Sequence, residues 1–360
     1  MTNRMDRHLF WKLFQITLFL LVILIFIFII IDFSESSDEF TDRGATLQAI
    51  WQQYYLNYIP EMVRLVTPVA VFIACLLLTG QMADRFEIVA LKAAGVSLYR
   101  LFIPYFIFAL LAALVISYLD GYIVPDANAK RIAFQRKYLE NSSDKIDRNQ
   151  IYRQESDSTL LSINYFDGSD TTAFRVDLYT FENRKLKEIM HLSRMTWMDT
   201  TEKWLLKRGY KRVFTDSGYT ESNFTRRDTV LNVLPRDLAR TSSDIYQLTY
   251  PESQQYINAL ERSGASNIEL PKTQFFGRLF YPISIIIVML IGFAIASVRR
   301  KGGRGVYVAV GVSISFLYLA LMKIIEPFGA NGELSPFWAA ATPHLLFFVV
   351  GLVLLITAKK

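Results

Sequence analysis

Apolar residues are concentrated in six long blocks rather than spread along the chain at helical spacing. A helix that crosses a bilayer needs about 20 consecutive and mostly apolar residues. The first block runs directly into Asp32 without the small residues of a cleavage site, which is typical of an uncleaved membrane anchor. The pattern predicts six transmembrane helices, at about residues 10–31, 59–83, 101–124, 275–298, 306–326 and 337–358.

The pattern changes between the third and fourth blocks. Residues 127–139 are charged, and we expect them to continue the third helix out of the membrane. Short runs that alternate apolar and polar residues then predict antiparallel strands at 160–166, 174–181, 195–198 and 203–206. Regular spacing of such runs is typical of a sandwich or jelly roll. Residues 251–263 have the pattern of an amphipathic helix, which Gly264 is expected to end.

Charge in the short connecting segments predicts the orientation. Lys and Arg accumulate on the cytoplasmic side of membrane proteins. Basic segments precede the first block, link the second to the third, follow the fourth and end the chain, whereas the segment after the first block is acidic. Both termini are therefore expected in the cytoplasm of a bacterial inner-membrane protein, with about residues 125–270 in the periplasm.

The predicted fold class is membrane α-helical, with six transmembrane helices and an inserted periplasmic all-β, jelly-roll-like domain. Helices one to three would occupy residues 1–124, with a cytoplasmic helix at 84–95. The β-rich domain and its flanking helices would occupy 125–270, and helices four to six would occupy 271–360.

The composition excludes several function classes. The net charge of +6 lies mostly beside the apolar blocks, so topology explains it and no nucleic-acid partner is expected. The single cysteine, Cys75, cannot form an intramolecular disulfide, and the three histidines lack metal-ligand spacing. The sequence contains no phosphate-binding loop and no nucleophile elbow. We expect no catalytic residues, metal site or cofactor in this chain.

The predicted cytoplasmic loop between helices two and three carries the most informative short motif. Asp84 is expected to cap a short helix, and Glu87 would complete a capping box. Ile88 and Leu91 fall near one face, and Gly95 can end the helix in a left-handed conformation. The helix is either a connector at the membrane surface or a docking element for a cytoplasmic partner.

This loop, Glu87-Ile-Val-Ala-Leu-Lys-Ala-Ala-Gly-Val-Ser97, resembles the coupling helix of the lipopolysaccharide-export permeases of the LptF/LptG (YjgP/YjgQ) family. The resemblance extends over nearly the whole chain, in the family's order. It is carried by Pro60-Glu-Met, Thr67-Pro68, Val124-Pro125, Trp204-Leu-Leu-Lys-Arg-Gly209, Asn331-Gly-Glu-Leu-Ser-Pro336 and Ala341-Thr-Pro-His-Leu-Leu-Phe347.

The resemblance implies a non-catalytic half-transporter. Two permeases of this family, one of each type, pair with a cytoplasmic ABC ATPase dimer, which uses ATP and Mg and presses on the coupling helices. Lipopolysaccharide enters a cavity between helices one and five of opposing subunits and leaves through the periplasmic domains to a β bridge protein. On this sequence the ATPase-coupling residues would be Asp84, Arg85, Phe86, Glu87, Ile88, Leu91, Lys92 and Gly95, and the lateral gate would include Phe26, Ile30, Gly311 and Ser315. The small residues Gly311, Ser313 and Ser315 would let helix five slide in such a gate, or they serve only ordinary close packing of helices.

Ionisable residues in or beside the predicted spans are candidate ligands of the lipid headgroup. The candidates are Glu61, Arg64, Lys130, Arg131, Arg136, Arg278 and Lys323. Alternatively, these side chains reach the membrane surface or pair with neighbours on the same helix. One permease type of the family carries lysines at the outer end of helix one, whereas residues 32–39 here are acidic, which leaves the exact lipid open.

Two other classes of protein remain as alternatives. A lipoprotein-releasing type ABC permease has its large outer domain after the first helix, whereas here it follows the third. A membrane-anchored scaffold would bind a periplasmic partner through the β domain without moving a substrate.

Overall fold

The computed structural model describes residues 4–138, 148–156, 158–167, 170–182, 185–198, 203–215, 218–231, 233, 238, 242–262, 268–298 and 303–358. The chain divides into two compact units. The helical unit comprises Met1–Tyr138, Ile245–Tyr250 and Glu269–Lys360, and the sheet unit comprises Leu139–Asp244 and Pro251–Ile268.

α-Helices account for most of the described residues. They are α1 (Arg4–Asp42), α2 (Leu56–Asp84), α3 (Glu87–Ala93), α4 (Leu98–Tyr118), α5 (Val124–Tyr138), α6 (Tyr250–Arg262), α7 (Glu269–Phe280), α8 (Ile283–Ala296), α9 (Gly303–Ala330) and α10 (Pro336–Thr357). A short turn, Leu47–Ala49, and a π-helical segment, Ile50–Tyr55, precede α2. A second π-helical segment, Leu119–Ile123, joins α4 to α5, and a 3-10 helix, Ser242–Gln247, precedes α6.

Within the described residues, five helices are long and apolar enough to cross a membrane, and six are if α7 and α8 form one bent span. The α4–α5 run continues past the apolar block to Gln135, as expected for a third helix that extends beyond the membrane. The predicted combination of membrane helices with an inserted antiparallel β domain is confirmed.

The fourth predicted helix, 275–298, differs from a single span because the chain bends by 49° between α7 and α8. Pro282 lies at the break and has no N–H to donate to the carbonyl of residue 278. Hydrogen bonding resumes immediately, since the amide of Ser284 donates to the carbonyl of Tyr281 at 3.0 Å. Pro68 and Pro104 also lie inside apolar blocks, yet both remain within helices.

The centre of the helical unit is α2, whose residues from Val66 to Ala83 are almost all buried. It packs against α1, α8 and α9. Gly292 lets α8 approach closely, because a Cβ added there would lie 2.8 Å from the ring of Phe72. By contrast, the apolar side chains of α1 and α9 are mostly exposed within this single chain.

The sheet unit contains one antiparallel sheet of six described strands in consecutive order. The strands are β1 (Arg148–Ser156), β2 (Thr159–Asp167), β3 (Thr172–Glu182), β4 (Lys185–Met198), β5 (Lys203–Thr215) and β6 (Gly218–Thr229). A jelly roll needs connections that skip strands. The described strands therefore form an up-and-down meander instead of the expected jelly-roll order.

One face of the sheet supplies its core. Trp204 is fully buried, and its indole N–H donates to the carbonyl of Val233 at 2.8 Å. Arg208 has a left-handed backbone (φ 49°) within β5, and any side chain at the neighbouring Gly209 would collide with the carbonyl of His191. The predicted amphipathic helix is present as α6, with Tyr256, Ile257 and Leu260 buried; Gly264 lies outside the described residues.

Candidate functional site

The short helix α3 starts later than the sequence suggests. Asp84 is the last residue of α2, and the residue that precedes α3 is Phe86, whose backbone is left-handed (φ 60°) and which makes no side-chain cap. The predicted capping box between Asp84 and Glu87 is therefore wrong, because α2 continues through the position that the cap required. A left-handed backbone at a bulky residue is unfavourable, so the surrounding fold must hold this turn.

The other end of α3 follows the prediction. Gly95 is left-handed (φ 86°), and its amide donates to the carbonyl of Lys92 at 2.9 Å. The next amide, of Val96, donates to the carbonyl of Leu91 at 3.0 Å, which completes a Schellman motif. Ser97 then caps α4 by accepting from the amide of Arg100 at 3.2 Å.

The two faces of α3 differ in exposure. Ile88 is buried, and Leu91 packs against the same apolar core, which includes residues of α2 and α4. Phe86, Glu87 and Val89 are exposed on the other side. These three residues are called the coupling surface below. It presents two large apolar side chains beside one carboxylate, which lies 3.9 Å from the guanidinium of Arg85.

A buried ionic cluster joins α2, α7 and the π-helical segment before α5. It consists of Glu61, Arg64, Asp120 and Arg278. Glu61 accepts from Arg64 at 2.6 Å, while Asp120 Oδ1 lies 3.6 Å from Arg64 Nε and 3.5 Å from Arg278 Nε. Two guanidiniums face two carboxylates, so the cluster has no net charge. Such pairing is what makes charged groups tolerable away from water.

Further hydrogen bonds complete this cluster. Arg278 donates to the carbonyls of Ile245 and Leu248 at 2.7 and 2.8 Å, and also to the carbonyl of Asp120. Asn128 donates to Glu61 at 2.8 Å. Burial raises the pKa of Tyr250, which keeps its phenol protonated, and this group donates to Asp120 Oδ2 at 3.2 Å. The cluster therefore fixes the segment Ile245–Tyr250, which belongs to the helical unit, to the helices of that unit.

The predicted lipid-binding residues separate into two groups. Arg278 is 1% exposed, Arg64 is also buried and Glu61 is mostly covered, and the contacts of all three are with protein groups. Lys323 is 75% exposed and pairs with Glu326 at 2.7 Å, and the exposed Lys130 pairs with Asp126 at 2.6 Å. The remaining two are Arg131, which lies 4.8 Å over the ring of Tyr58, and Arg136, whose side chain lies outside the described residues.

Helix α1 is attached to its own chain at both ends. Near its start, Asp6 accepts two hydrogen bonds from Arg100, at 3.0 and 2.6 Å. Near its other end, Asp32 accepts from Tyr54 at 3.3 Å. Between these points the predicted gate residues Phe26 and Ile30 are 62% and 55% exposed. Asp32 is the first residue of the acidic segment 32–39. Its hydrogen bond with Tyr54 ties α1 to the π-helical segment before α2.

Two other predicted gate residues lie on α9 and face inwards. A Cβ added at Gly311 would lie 2.6 Å from Leu76 Cδ1, so the missing side chain allows α9 to approach α2. Ser315 is buried, and its hydroxyl has no hydrogen-bond partner among the described residues. Ser313, between them, is exposed.

We expect Gly311→Leu to destabilise the helical unit by about 1–3 kcal/mol, because the new side chain overpacks the contact with Leu76. Gly305→Leu is the matched control, since nothing lies within 4 Å of a Cβ added there on the same helix. SDS-induced unfolding of the purified protein measures both variants. Equal stability of the two variants would show that close packing at Gly311 is unimportant.

Sequence reasoning identified Arg278 as a candidate but did not place it beside Asp120. They are 158 positions apart, and no spacing rule connects them. The carbonyl groups of Ile245 and Leu248 could not be predicted as acceptors from the sequence, because every residue has a backbone carbonyl. Tyr250 and Asn128 were also missed.

The chain is similar to known proteins over almost its whole length. The family profile described as lipopolysaccharide export system permease LptF/LptG matches residues 7–357. The lipopolysaccharide export system permease protein LptG of Haemophilus influenzae is 22% identical over 356 residues, which are 97% of this chain and 97% of that protein. The protein of the same name from Escherichia coli K12 is 22% identical over 307 residues, 84% of each chain.

Proposed function

Because the chain belongs to the lipopolysaccharide export system permease LptF/LptG family, we propose that it is one permease subunit of an ATP-driven exporter. This exporter extracts lipopolysaccharide from the inner membrane and passes it to a periplasmic bridge protein. The observation that carries the proposal is the family match over residues 7–357, which includes every transmembrane helix and the inserted sheet.

A cytoplasmic ABC ATPase dimer would supply the energy by docking on the coupling surface. Phe86 and Val89 would enter an apolar pocket of the ATPase, and Glu87 would meet a polar or basic rim. The proposal is supported by how α3 is held: Ile88 and Leu91 anchor it to the core that α2 and α4 share. A push on α3 would therefore move two transmembrane helices instead of only bending a loop.

A second permease of the same family would face α1 and α9. Both helices expose large apolar side chains, such as Phe26 on α1 and Phe316 on α9, along most of their length. Within a membrane, the exposed apolar side chains of a helix can pack against lipid tails or against another helix, because both are apolar. We propose that α1 and α9 form the lateral gate and that the partner permease completes the cavity.

The lipid's phosphates would meet cations outside the buried ionic cluster. Lys130, Arg131 and Lys323 are the predicted cationic ligands with described side chains that remain after Arg64 and Arg278 are assigned to the cluster, and Arg136 stays a candidate outside the described side chains. The acidic partners of the two lysines, Asp126 and Glu326, would give way to phosphate, since exposed pairs contribute only about 0–1 kcal/mol each.

Co-purification tests this function. The protein, extracted in detergent from its native membrane, should bring down an ABC ATPase and a second six-span permease, and mass spectrometry should identify bound lipopolysaccharide. Recovery of the chain with a periplasmic protein only, and with neither an ATPase nor a glycolipid, would support the scaffold alternative and contradict the proposal.

The proposed orientation predicts that residue 89 faces the cytoplasm. Val89→Cys should react with a membrane-impermeant maleimide in inverted vesicles but not in intact spheroplasts. Background labelling should be low, because the single native thiol, Cys75, is buried. Glu333→Cys, in the exposed turn between α9 and α10, should show the opposite result. Labelling of residue 89 from the periplasm would mean that the assigned topology is inverted.

A further inference from the structure

A cleft of about 420 Å³ lies at the start of α1 and α4, and none of its lining residues belongs to the coupling surface or to the buried ionic cluster. Its volume falls within the range of about 300–1,000 Å³ that is typical of ligand sites. Three residues of α1 and three of α4 form most of its lining: Asp6, Arg7, Phe10, Arg100, Ile103 and Ile107.

One end of the cleft is polar and carries an excess of positive charge. Arg100 and Asp6 form a bidentate pair with hydrogen bonds of 2.6 and 3.0 Å, so each neutralises the other. Arg7 is exposed, and among the described residues its guanidinium has no ion pair or hydrogen bond. With two guanidiniums and one carboxylate, the lining has a net charge of +1.

The rest of the cleft is apolar. Phe10 follows Arg7 by three positions on α1, and Ile103 and Ile107 follow Arg100 by three and seven positions on α4, so each helix presents its charge and its apolar residues on one side. Ile103 and Ile107 are each 44% exposed. The seven positions from Arg100 to Ile107 span about two helical turns, so the lining of the cleft changes from charged to apolar over roughly 10 Å.

We propose that this cleft binds a phospholipid with an anionic headgroup. The phosphate would lie against Arg7 and the outer edge of Arg100, and the upper part of one acyl chain would lie along Ile103 and Ile107. A free phosphate would leave the apolar wall in water, and a zwitterionic lipid would gain little from the unpaired positive charge. Only an anionic lipid would match both the positively charged end of the cleft and its apolar wall.

The membrane leaflet follows from the proposed orientation, and in this respect the inference rests on the proposed function. If the start of α1 is cytoplasmic, the cleft opens to the leaflet where anionic lipids create a negative surface potential. The bound lipid would sit between the first turns of α1 and α4, beside the bidentate pair that holds these helices together.

Native mass spectrometry of the detergent-solubilised complex, titrated with phosphatidylglycerol or phosphatidylcholine, tests the proposal. Arg7→Gln should weaken phosphatidylglycerol binding about fivefold, the loss expected for one basic residue near a lipid phosphate. Lys12→Gln, which removes a cation of the same helix outside the cleft, should leave the binding unchanged. Ile107→Ala should weaken binding of phosphatidylglycerol but not create binding of soluble glycerol phosphate.

Equal phosphatidylglycerol binding by the wild type and Arg7→Gln would overturn the proposal, as would phosphatidylcholine binding of equal affinity. Binding of glycerol phosphate as tight as that of the lipid would overturn the role of the apolar wall. These titrations contain neither lipopolysaccharide nor ATP. A failure here therefore leaves the exporter function untouched, and a failure of export leaves the lipid site untouched.

Discussion

Arg278→Met is expected to destabilise the folded protein by about 3–5 kcal/mol, the usual result of removing one partner of a buried ion pair. The substitution leaves Glu61 and Asp120 with Arg64 alone, so a net negative charge stays buried. It also removes the donors to the carbonyls of Ile245 and Leu248. The free energy of unfolding in mixed detergent and SDS micelles measures this effect.

Lys323→Met is the matched control, because it breaks an ion pair between Lys323 and Glu326 that is exposed on one helix. Its expected effect is about 0–1 kcal/mol. A loss from Arg278→Met as small as this would mean that the buried ionic cluster does not hold α2, α7 and the 3-10 segment together. Arg278→Lys separates charge from geometry: it restores one positive charge but cannot reach three carbonyls and a carboxylate at once.

Glu87→Lys is expected to reduce lipopolysaccharide extraction at least about tenfold, since reversing a charge in a docked interface costs several kcal/mol. Folding should not change, because Glu87 is exposed and its ion pair with Arg85 is long. The reconstituted complex should continue to hydrolyse ATP, so the amount of lipid extracted per ATP should fall. Extraction and hydrolysis are measured on the same preparation.

Glu333→Lys reverses an exposed charge in the turn between α9 and α10 and serves as the control. It should leave the extraction ratio at the wild-type value. If Glu87→Lys also kept that ratio, the coupling surface would not be the site of force transfer, whatever the ATPase does elsewhere.

The transmembrane helices could be predicted closely because a bilayer requires long and continuous apolar segments. The last predicted helix, 337–358, is Pro336–Thr357 in the structure. The first is longer than predicted, since it continues through the acidic segment to Asp42, where Phe40 is buried against Tyr54 and Phe134. Hydropathy could not predict that the helix continues to Asp42, because this part is stabilised by aromatic packing and not by a continuous apolar sequence.

The sheet was only partly predictable. Strands β2 and β3 lie where alternation predicted them, because one face of each is buried. Strand β6 was missed, since nearly all of its residues are exposed and it shows no apolar face. Its formation depends on backbone pairing with β5, which is a property of the neighbouring strand and not of its own sequence.

In the candidate site, too, features encoded by neighbouring residues could be predicted, whereas contacts between distant segments could not. The motif around Glu87 could be found locally, because a short helix, its Gly95 stop and its apolar face are encoded within about three turns. The capping box failed because Asp84 belongs to the preceding helix, and local spacing cannot tell where that helix ends. The buried ionic cluster requires residues from distant segments to meet, and a single sequence does not contain that information.

The attachment of α1 at its two ends is consistent with a gate that works by bending at its middle. Asp6 and Asp32 hold the helix to α4 and to the segment before α2, whereas the side chains of Phe26 and Ile30 are more than half exposed. Under the proposed function, lipid would pass beside this exposed central part while the ends stay fixed.

The most direct test of the exporter function is lipid transfer from proteoliposomes that contain this chain, its partner permease and the ATPase. Lipopolysaccharide that arrives on a soluble bridge protein outside the vesicles can be captured by photo-crosslinking. We predict that transfer needs ATP and stops when this chain is omitted. Transfer that continues without ATP, or without this chain, would contradict the account.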